Sequence, residues 1–424
     1  MENKRIIQVE EKVEPKLLVP LSLQHMFAMF GATVLVPILF NINPAVVLLM
    51  NGIGTLIFIF ITKGKAPAYL GSSFAFLGPA GIVIAKWGYP YALGGFIAVG
   101  IAACLIAFII YKFGIKWIDV VLPAAAMGPV VALIGLELAQ TAADNAGLIA
   151  HENAPVDPKN VLIFLVTLVV AVFGNVLFRK FFAVIPILIA IVAGYATALS
   201  TKVVTKADLI SALHTSFFVI PNFELPKFKL EAIIMILPVI LVIASEHIGH
   251  QIVTSKIVER DLLKDPGLHR SLLADGISTM LSGFVGSVPT TTYGENIGVM
   301  AMTKVYSVQV IAGAAILSIL SSFIGPVTAL IQTIPWPVIG GISFLLYGTI
   351  GASGIRVLVD AQVDYSRSRN LVLTSVIFIT GLSGVVLQIG QVSLKGMVLA
   401  CVVGMALSLI FYVLEKFHLT NEQQ

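Results

Sequence analysis

From Leu17 to Phe417 this chain repeats one pattern: an apolar run about as long as a bilayer is thick, then a short polar turn. A hydrocarbon core takes ~20 apolar residues per helix. Runs of that kind fall at 18–40, 45–62, 68–85, 91–111, 117–139, 160–178 and 181–200, and again at 230–254, 271–288, 290–303, 306–326, 335–355, 371–389 and 393–415. Of the 424 residues 58% are hydrophobic and only 11% charged, against about 25% charged in soluble proteins. No soluble fold of this length hides so much apolar side chain. The expectation is an all-α polytopic membrane protein with fourteen transmembrane spans.

Charge placement tests that count. With the N-terminus in the cytoplasm, every arginine (Arg5, Arg179, Arg260, Arg270, Arg356, Arg367, Arg369) and most lysines fall in inside loops. The outside lysines lie mainly in two long loops, at Lys159, Lys202, Lys206, Lys227 and Lys229. The positive-inside rule is then obeyed with both termini cytoplasmic, and one span more or less would invert the second half. Residues 1–17, with charges of both signs (Glu2, Lys4, Arg5, Glu10, Glu11, Lys12), form a solvated cytoplasmic tail rather than a signal peptide; 416–424 form a second. The two cysteines, Cys104 and Cys401, sit in apolar runs and exclude a disulfide framework or multi-cysteine metal centre. Basic charge is dispersed, so no nucleic-acid partner is expected.

The chain resembles itself across the 201–229 loop. Ser22-Leu23-Gln24-His25 aligns with Ala244-Ser245-Glu246-His247, and at the same spacing Pro67 meets Pro289 and Ser73 meets Glu295. Further on, Leu122-Pro123 and Gly128 match Ile334-Pro335 and Gly340. Repeats 18–200 and 230–415 each hold an odd number of spans, seven, so they lie upside down relative to each other, as in secondary transporters. The short third and tenth spans open with stretches poorly suited to helix, Ala68 to Phe74 and Thr290 to Gly294. Broken backbone at membrane depth is tolerated only in protein or beside a cavity, which makes these corresponding breaks the best pointer to a substrate site.

Few ionisable groups fall well inside a span: His25, Glu246, His247, His250 and Glu295. A charge at the bilayer centre costs ~2.5–3.5 kcal/mol on insertion scales, so such groups are functional by default. Glu246 and His250, at i and i+4, share a helix face; His247 is turned about 100° away, a candidate for support. His25 is expected to be a satisfied structural histidine. The run Glu246-His-Ile-Gly-His250 lacks the zinc-protease order and a third ligand, so no metal or other cofactor is expected. Burial disfavours a charged carboxylate and a protonated imidazole beside it favours one, so such a cluster takes up and releases protons as its hydration changes. Asp119, Glu137, Glu231 and Asp275 are expected to anchor helix ends or loops.

The signature Glu295-Asn296-Ile-Gly298-Val-Met-Ala-Met-Thr303-Lys304, with Gln24-His25 and Glu246-His247-Ile-Gly249-His250, resembles the nucleobase–ascorbate transporter family over nearly the whole chain. Within it, Tyr293 to Met300, Ala68 to Phe76 and Leu346 to Arg356 look like the bacterial uracil permeases. The resemblance implies a core domain of spans 1–4 and 8–11 and a gate domain of spans 5–7 and 12–14, with short antiparallel strands opening spans 3 and 10. It implies Glu246 and Glu295 as uracil ligands, backbone amides near Phe74 and Gly294 completing the set, and Tyr293 and Tyr347 lining the pocket. His250 would assist coupling to a proton, through the bacterial plasma membrane and its lipid, in a homodimer joined by gate domains. The implied activity is uracil:proton symport. A proton- or sodium-coupled xanthine or uric acid carrier is the nearest alternative, and a buried histidine favours the proton. An anion exchanger would call for cationic groups rather than two carboxylates. An enzyme would need a nucleophile–base pair or three-ligand metal centre, and neither is visible.

Overall fold

The computed structural model describes residues 6–151, 155–390 and 392–420. The tail charges Glu2, Lys4 and Arg5 and the last residues, 421–424, lie outside them. The first half contains α1 (Pro15–Phe40), α2 (Pro44–Ile61), β1 (Leu70–Ser72), a 3-10 turn (Phe74–Phe76), α3 (Leu77–Trp87), α4 (Tyr89–Phe113), α5 (Lys116–Val121), α6 (Ala124–Leu136), α7 (Ala139–Asn145), α8 (Pro158–Leu177) and α9 (Pro186–Ser200). After α10 (Lys206–Leu213) come α11 (Leu230–Ile236), α12 (Val239–Val258), α13 (Leu268–Val285), β2 (Thr290–Thr292), α14 (Gly294–Thr303), α15 (Val308–Ser322) and α16 (Gly325–Gln332). The chain closes with α17 (Trp336–Asp360), α18 (Ser368–Leu382), the hairpin β3 (Val386–Ile389) and β4 (Val392–Lys395), and α19 (Gly396–Lys416).

Eight helices of the described residues are long and apolar enough to cross a hydrocarbon core. Several start on a proline in the first turn, where its missing N–H costs nothing: Pro15, Pro44, Pro158 and Pro186. Prolines also divide two of the expected runs. Pro123 separates α5 from α6, and Pro238 separates α11 from α12, because a proline inside a helix removes one ladder bond and crowds the preceding turn. The 201–229 loop is not structureless: Thr205 and Asp208 form a reciprocal capping box on α10. The 371–389 run ends as helix at Leu382, its last residues entering the β3–β4 hairpin.

Packing runs between the halves. α4 lies along α13, α2 along α15 and α6 along α17, while α8 packs on α9 and α18 on α19. Glycines permit the closest crossings. A Cβ on Gly100 of α4 would meet Gly276 O of α13 at 2.7 Å, and one on Gly276 would meet Gly100 O at 2.8 Å. That is the small-residue contact by which helices associate in lipid. On α8, Leu165, Phe173 and Val176 are exposed, an apolar face with nothing but lipid or another chain to meet.

The expected solvated tail is corrected by the structure. α1 begins at Pro15, before the expected residue 18, and the segment before it is docked. Ile7 N–H donates to Lys304 O (3.0 Å), and Tyr306 and Val308 N–H donate to Ile7 O (2.8 Å) and Val9 O (2.9 Å). Val9 is fully buried. Glu10 is clamped by Arg260, its Oε2 2.7 Å from Nη1. The apolar Ile7, Val9 and Val13 among the charges are what dock it.

Candidate functional site

β1 and β2 cross antiparallel in the middle of the molecule, with Leu70 opposite Thr292, Gly71 opposite Thr291 and Ser72 opposite Thr290. Gly71 is required here, since a Cβ would collide with the Tyr293 ring. Each strand runs straight into a helical turn, β1 into Phe74–Phe76 and β2 into α14. The residues at those starts, Ser73 and Tyr293, supply no side-chain cap. Amides of both first turns are thereby left for another partner.

A cavity of about 300 Å³ lies against this crossing. One side is formed by Glu246 and His250 of α12, Thr292 and Tyr293 after β2, Gly294 and Glu295 of α14, and Phe74. The facing side is largely apolar, with Val131 of α6, Leu346, Ile350 and Ser353 of α17, and Ile187 of α9. Of the lining residues, the exposed Met302 and Arg356 stand near the last turns of α14 and α17, and the exposed Asn175 near the last turn of α8, so the cavity opens at that end. His250 Nδ1 is 3.1 Å from Thr292 Oγ1. Gly294 keeps the imidazole close: a Cβ there would sit 3.3 Å from His250 Nε2. Glu246 is buried, and among the described residues its Oε2 has no hydrogen-bond partner. An unpaired buried carboxylate oxygen is costly unless something else pairs it.

Six of the seven expected site residues therefore meet on one cavity: Glu246, His250, Glu295, Phe74, Tyr293 and Gly294. Tyr347 does not reach its wall. Leu346, Ile350 and Ser353 face the cavity at helical spacing, and Tyr347, one residue on, is turned about 100° away. It is buried and packs edge-on behind Phe74, ring centroids 5.8 Å apart.

Asp275 is not the helix-end anchor expected. It lies two turns inside α13, buried, with Oδ2 3.2 Å from His247 Nδ1. His247 Nε2 is 2.9 Å from Ser271 Oγ, so this imidazole braces α12 against α13 and faces away from the cavity. His25 Nδ1 is 3.2 Å from Asn296 Oδ1, which ties α1 to α14 behind the site. Glu137 does anchor an end: its Oε2 accepts from Met397 N–H at 2.8 Å, at the start of α19. Thr292 and Ser353 escaped the sequence reading, since hydroxyls are common in apolar helices and strands.

The model of a family described as "Permease family" matches residues 16–390. The uracil permease of Escherichia coli (strain K12) is 56% identical over 409 residues, covering 96% of this chain and 94% of that protein. The uracil permease of Paenibacillus larvae is 53% identical over 421 residues, covering 99% of each, and that of Bacillus subtilis 44% over 422 residues, covering 97% and 96%. Two solved structures share the fold at low identity. The transmembrane domain of the cyanobacterial bicarbonate transporter BicA matches with TM-score 0.64 and 13% identity, covering 95% of this chain and 99% of that one. The murine anion transporter Slc26a9 matches with TM-score 0.70 and 11% identity, covering 95% and 69%. The chain is a multi-pass membrane transporter, not an enzyme, and belongs to this permease family, the nucleobase–ascorbate transporters that include the bacterial uracil permeases.

Proposed function

We propose that this protein is a uracil:proton symporter that imports uracil across the bacterial plasma membrane by alternating access. The observation that carries the reading is two carboxylates, Glu246 and Glu295, on the wall of one cavity, with the Phe74 ring beside them and a largely apolar side opposite. Uracil is planar and neutral, with two N–H donors and two carbonyl acceptors. Carboxylates take the N–H groups, the uncapped amides near Phe74 and Gly294 serve the carbonyls, and the Phe74 ring packs against the base. The uracil permeases at 44% to 56% identity favour uracil over a purine. The BicA and Slc26a9 likeness favours anion exchange as a second reading, but two acidic groups at the site oppose an anion.

His250, one turn from Glu246 and bonded to Thr292, is the proton-coupling partner of the two glutamates. Each 100 mV contributes ~2.3 kcal/mol per charge carried, more than the ~1.4 kcal/mol of a tenfold concentration ratio. The architecture that fits is fourteen spans in a 7+7 inverted repeat, 18–200 and 230–415, with both termini cytoplasmic. Its support is the matching of contacts: the fourth span on the ninth (α4 on α13) answers the second on the eleventh (α2 on α15), and α8 on α9 answers α18 on α19. Spans 1–4 and 8–11 form the core domain, spans 5–7 and 12–14 the gate, and the cavity lies between α12 of one and α17 of the other. Its mouth beside Met302 and Arg356 then faces the cytoplasm. The exposed gate helix α8 meets lipid or a second copy in a homodimer.

Radiolabelled uracil uptake into proteoliposomes, with and without an inward proton gradient and with xanthine as competitor, tests this. Gradient-dependent accumulation that ignores xanthine is expected, and His250→Ala should lose the accumulation while keeping uracil binding within about tenfold. Uptake that merely equilibrates, is blocked by xanthine or follows bicarbonate instead would defeat it.

A further inference from the structure

A two-stranded sheet has two outer edges, and at membrane depth no water is present to satisfy them. In this crossing Tyr293 N–H donates to Tyr69 O at 3.0 Å and Ser73 N–H to Pro289 O at 2.9 Å. By the alternation of an antiparallel ladder, Leu70 and Thr290 then turn their N–H and C=O groups away from the partner strand. A single threonine from a neighbouring helix meets each of them. Thr55 of α2 accepts from Leu70 N–H at 2.9 Å, and its hydroxyl lies 3.4 Å from Leu70 O. Thr279 of α13 accepts from Thr290 N–H at 3.2 Å and donates to Thr290 O at 2.9 Å. The Thr290 hydroxyl in turn donates to Ser278 Oγ at 2.7 Å. All of these groups are buried.

We propose that Thr55 and Thr279 are positioning residues for substrate recognition. Their hydroxyls hold the first residue of each strand and so set where the uncapped amides and Glu295 stand. The inference rests on the uracil reading of the cavity. The two threonines are not equal. Thr55 also donates to Asn51 O of its own helix at 2.7 Å, so it serves Leu70 mainly as an acceptor. Thr279 gives the strand both a donor and an acceptor, and its strand leads directly to Gly294 and Glu295. Valine has the shape of threonine without the hydroxyl, so at 279 it orphans two buried backbone groups and at 55 chiefly one.

The test compares purified full-length wild type, Thr279→Val, Thr279→Ser, Thr279→Ala and Thr55→Val. Binding of uracil and of pyrimidin-2-one and pyrimidin-4-one, which each lack one carbonyl together with one N–H, is measured beside thermal stability. Thr279→Val should weaken uracil binding by about tenfold to a hundredfold, and Thr55→Val by about threefold to tenfold. Thr279→Ser, which keeps the hydroxyl, should stay near wild type. The advantage of uracil over at least one analogue should shrink in Thr279→Val, because a displaced amide no longer meets its carbonyl. Should Thr279→Val not fold, Thr279→Ala and Thr55→Val carry the same comparison. Folded Thr279→Val or Thr279→Ala with wild-type uracil affinity, or with an affinity for all three ligands that falls by one factor, overturns the positioning role alone. Wild-type protein that binds no uracil overturns the substrate reading and this inference with it.

Discussion

The two halves of the proposed repeat put different chemistry at their matching sequence positions. Where the second half carries Glu246 and Glu295, the first carries Gln24 and Ser73 at the matching positions. His25 is turned to Asn296 and its counterpart His247 to Asp275 and Ser271, so both imidazoles brace helices behind the crossing. At the cavity itself the first half supplies Phe74 and apolar residues of α1, including Phe27 and Ala28, while the carboxylates and His250 come from the second. In the proposed repeat, one half is thus left free to become scaffold. Charge at membrane depth is costly, and confining it to one half halves the number of such sites to be stabilised.

The sharpest way to break that comparison is to exchange the acids. Glu246→Gln and Glu295→Gln should each weaken uracil binding by at least about tenfold to a hundredfold, the loss of one charge-assisted hydrogen bond of ~1.5–3 kcal/mol. Gln24→Ala and Ser73→Ala should change it by less than about threefold, since no charged ligand is removed. Isothermal titration of detergent-purified protein reads both. Equal losses in the two halves would refute the division.

A smaller effect separates contact from backing within the aromatic pair. Phe74→Ala should cost about twofold to tenfold in uracil affinity, the worth of one aromatic contact of ~0.5–1.5 kcal/mol. Tyr347→Phe should leave affinity unchanged, because the ring packs behind Phe74 and, among the described residues, its hydroxyl has no partner. If Tyr347→Phe proves the more damaging, the tyrosine reaches substrate in another state of the transporter.

Apolar run length and the ionisable residues inside the runs made the helices and the acidic wall legible. Glu246 and His250 declare a shared face by their spacing, and the broken stretches before Phe74 and Gly294 point to the site, while their antiparallel crossing is implied by the family resemblance alone. Three features stayed hidden for physical reasons. Asp275 looked terminal because α13 begins at Leu268, three residues before its apolar run. Tyr347 is placed on the lining by the family resemblance, and nothing in an apolar run marks which face meets the cavity when one step along a helix turns a side chain through about 100°. Thr55 and Thr279 are common residues whose purpose is set by strand edges that only the folded chain brings beside them.

The docked N-terminal segment is where the first half reaches across to the second, and it should affect stability rather than recognition. Glu10 is about half exposed where it meets Arg260, and the guanidinium holds its carboxyl below the usual carboxylate range. A carboxyl depressed in the folded state contributes stability above its unfolded pKa, and loses it as the pH falls through the folded value. Solvent screening limits such a pair to ~0.2–1 kcal/mol. Glu10→Gln should therefore melt slightly below wild type at pH 7, with the gap closing below about pH 4, the ordinary carboxylate range. Uracil affinity should not move. A thermal-shift series across pH decides it: a gap that persists in acid would assign the effect to packing of Val9 and its neighbours. A change in affinity would instead make the segment part of the recognition machinery, and the first half more than scaffold.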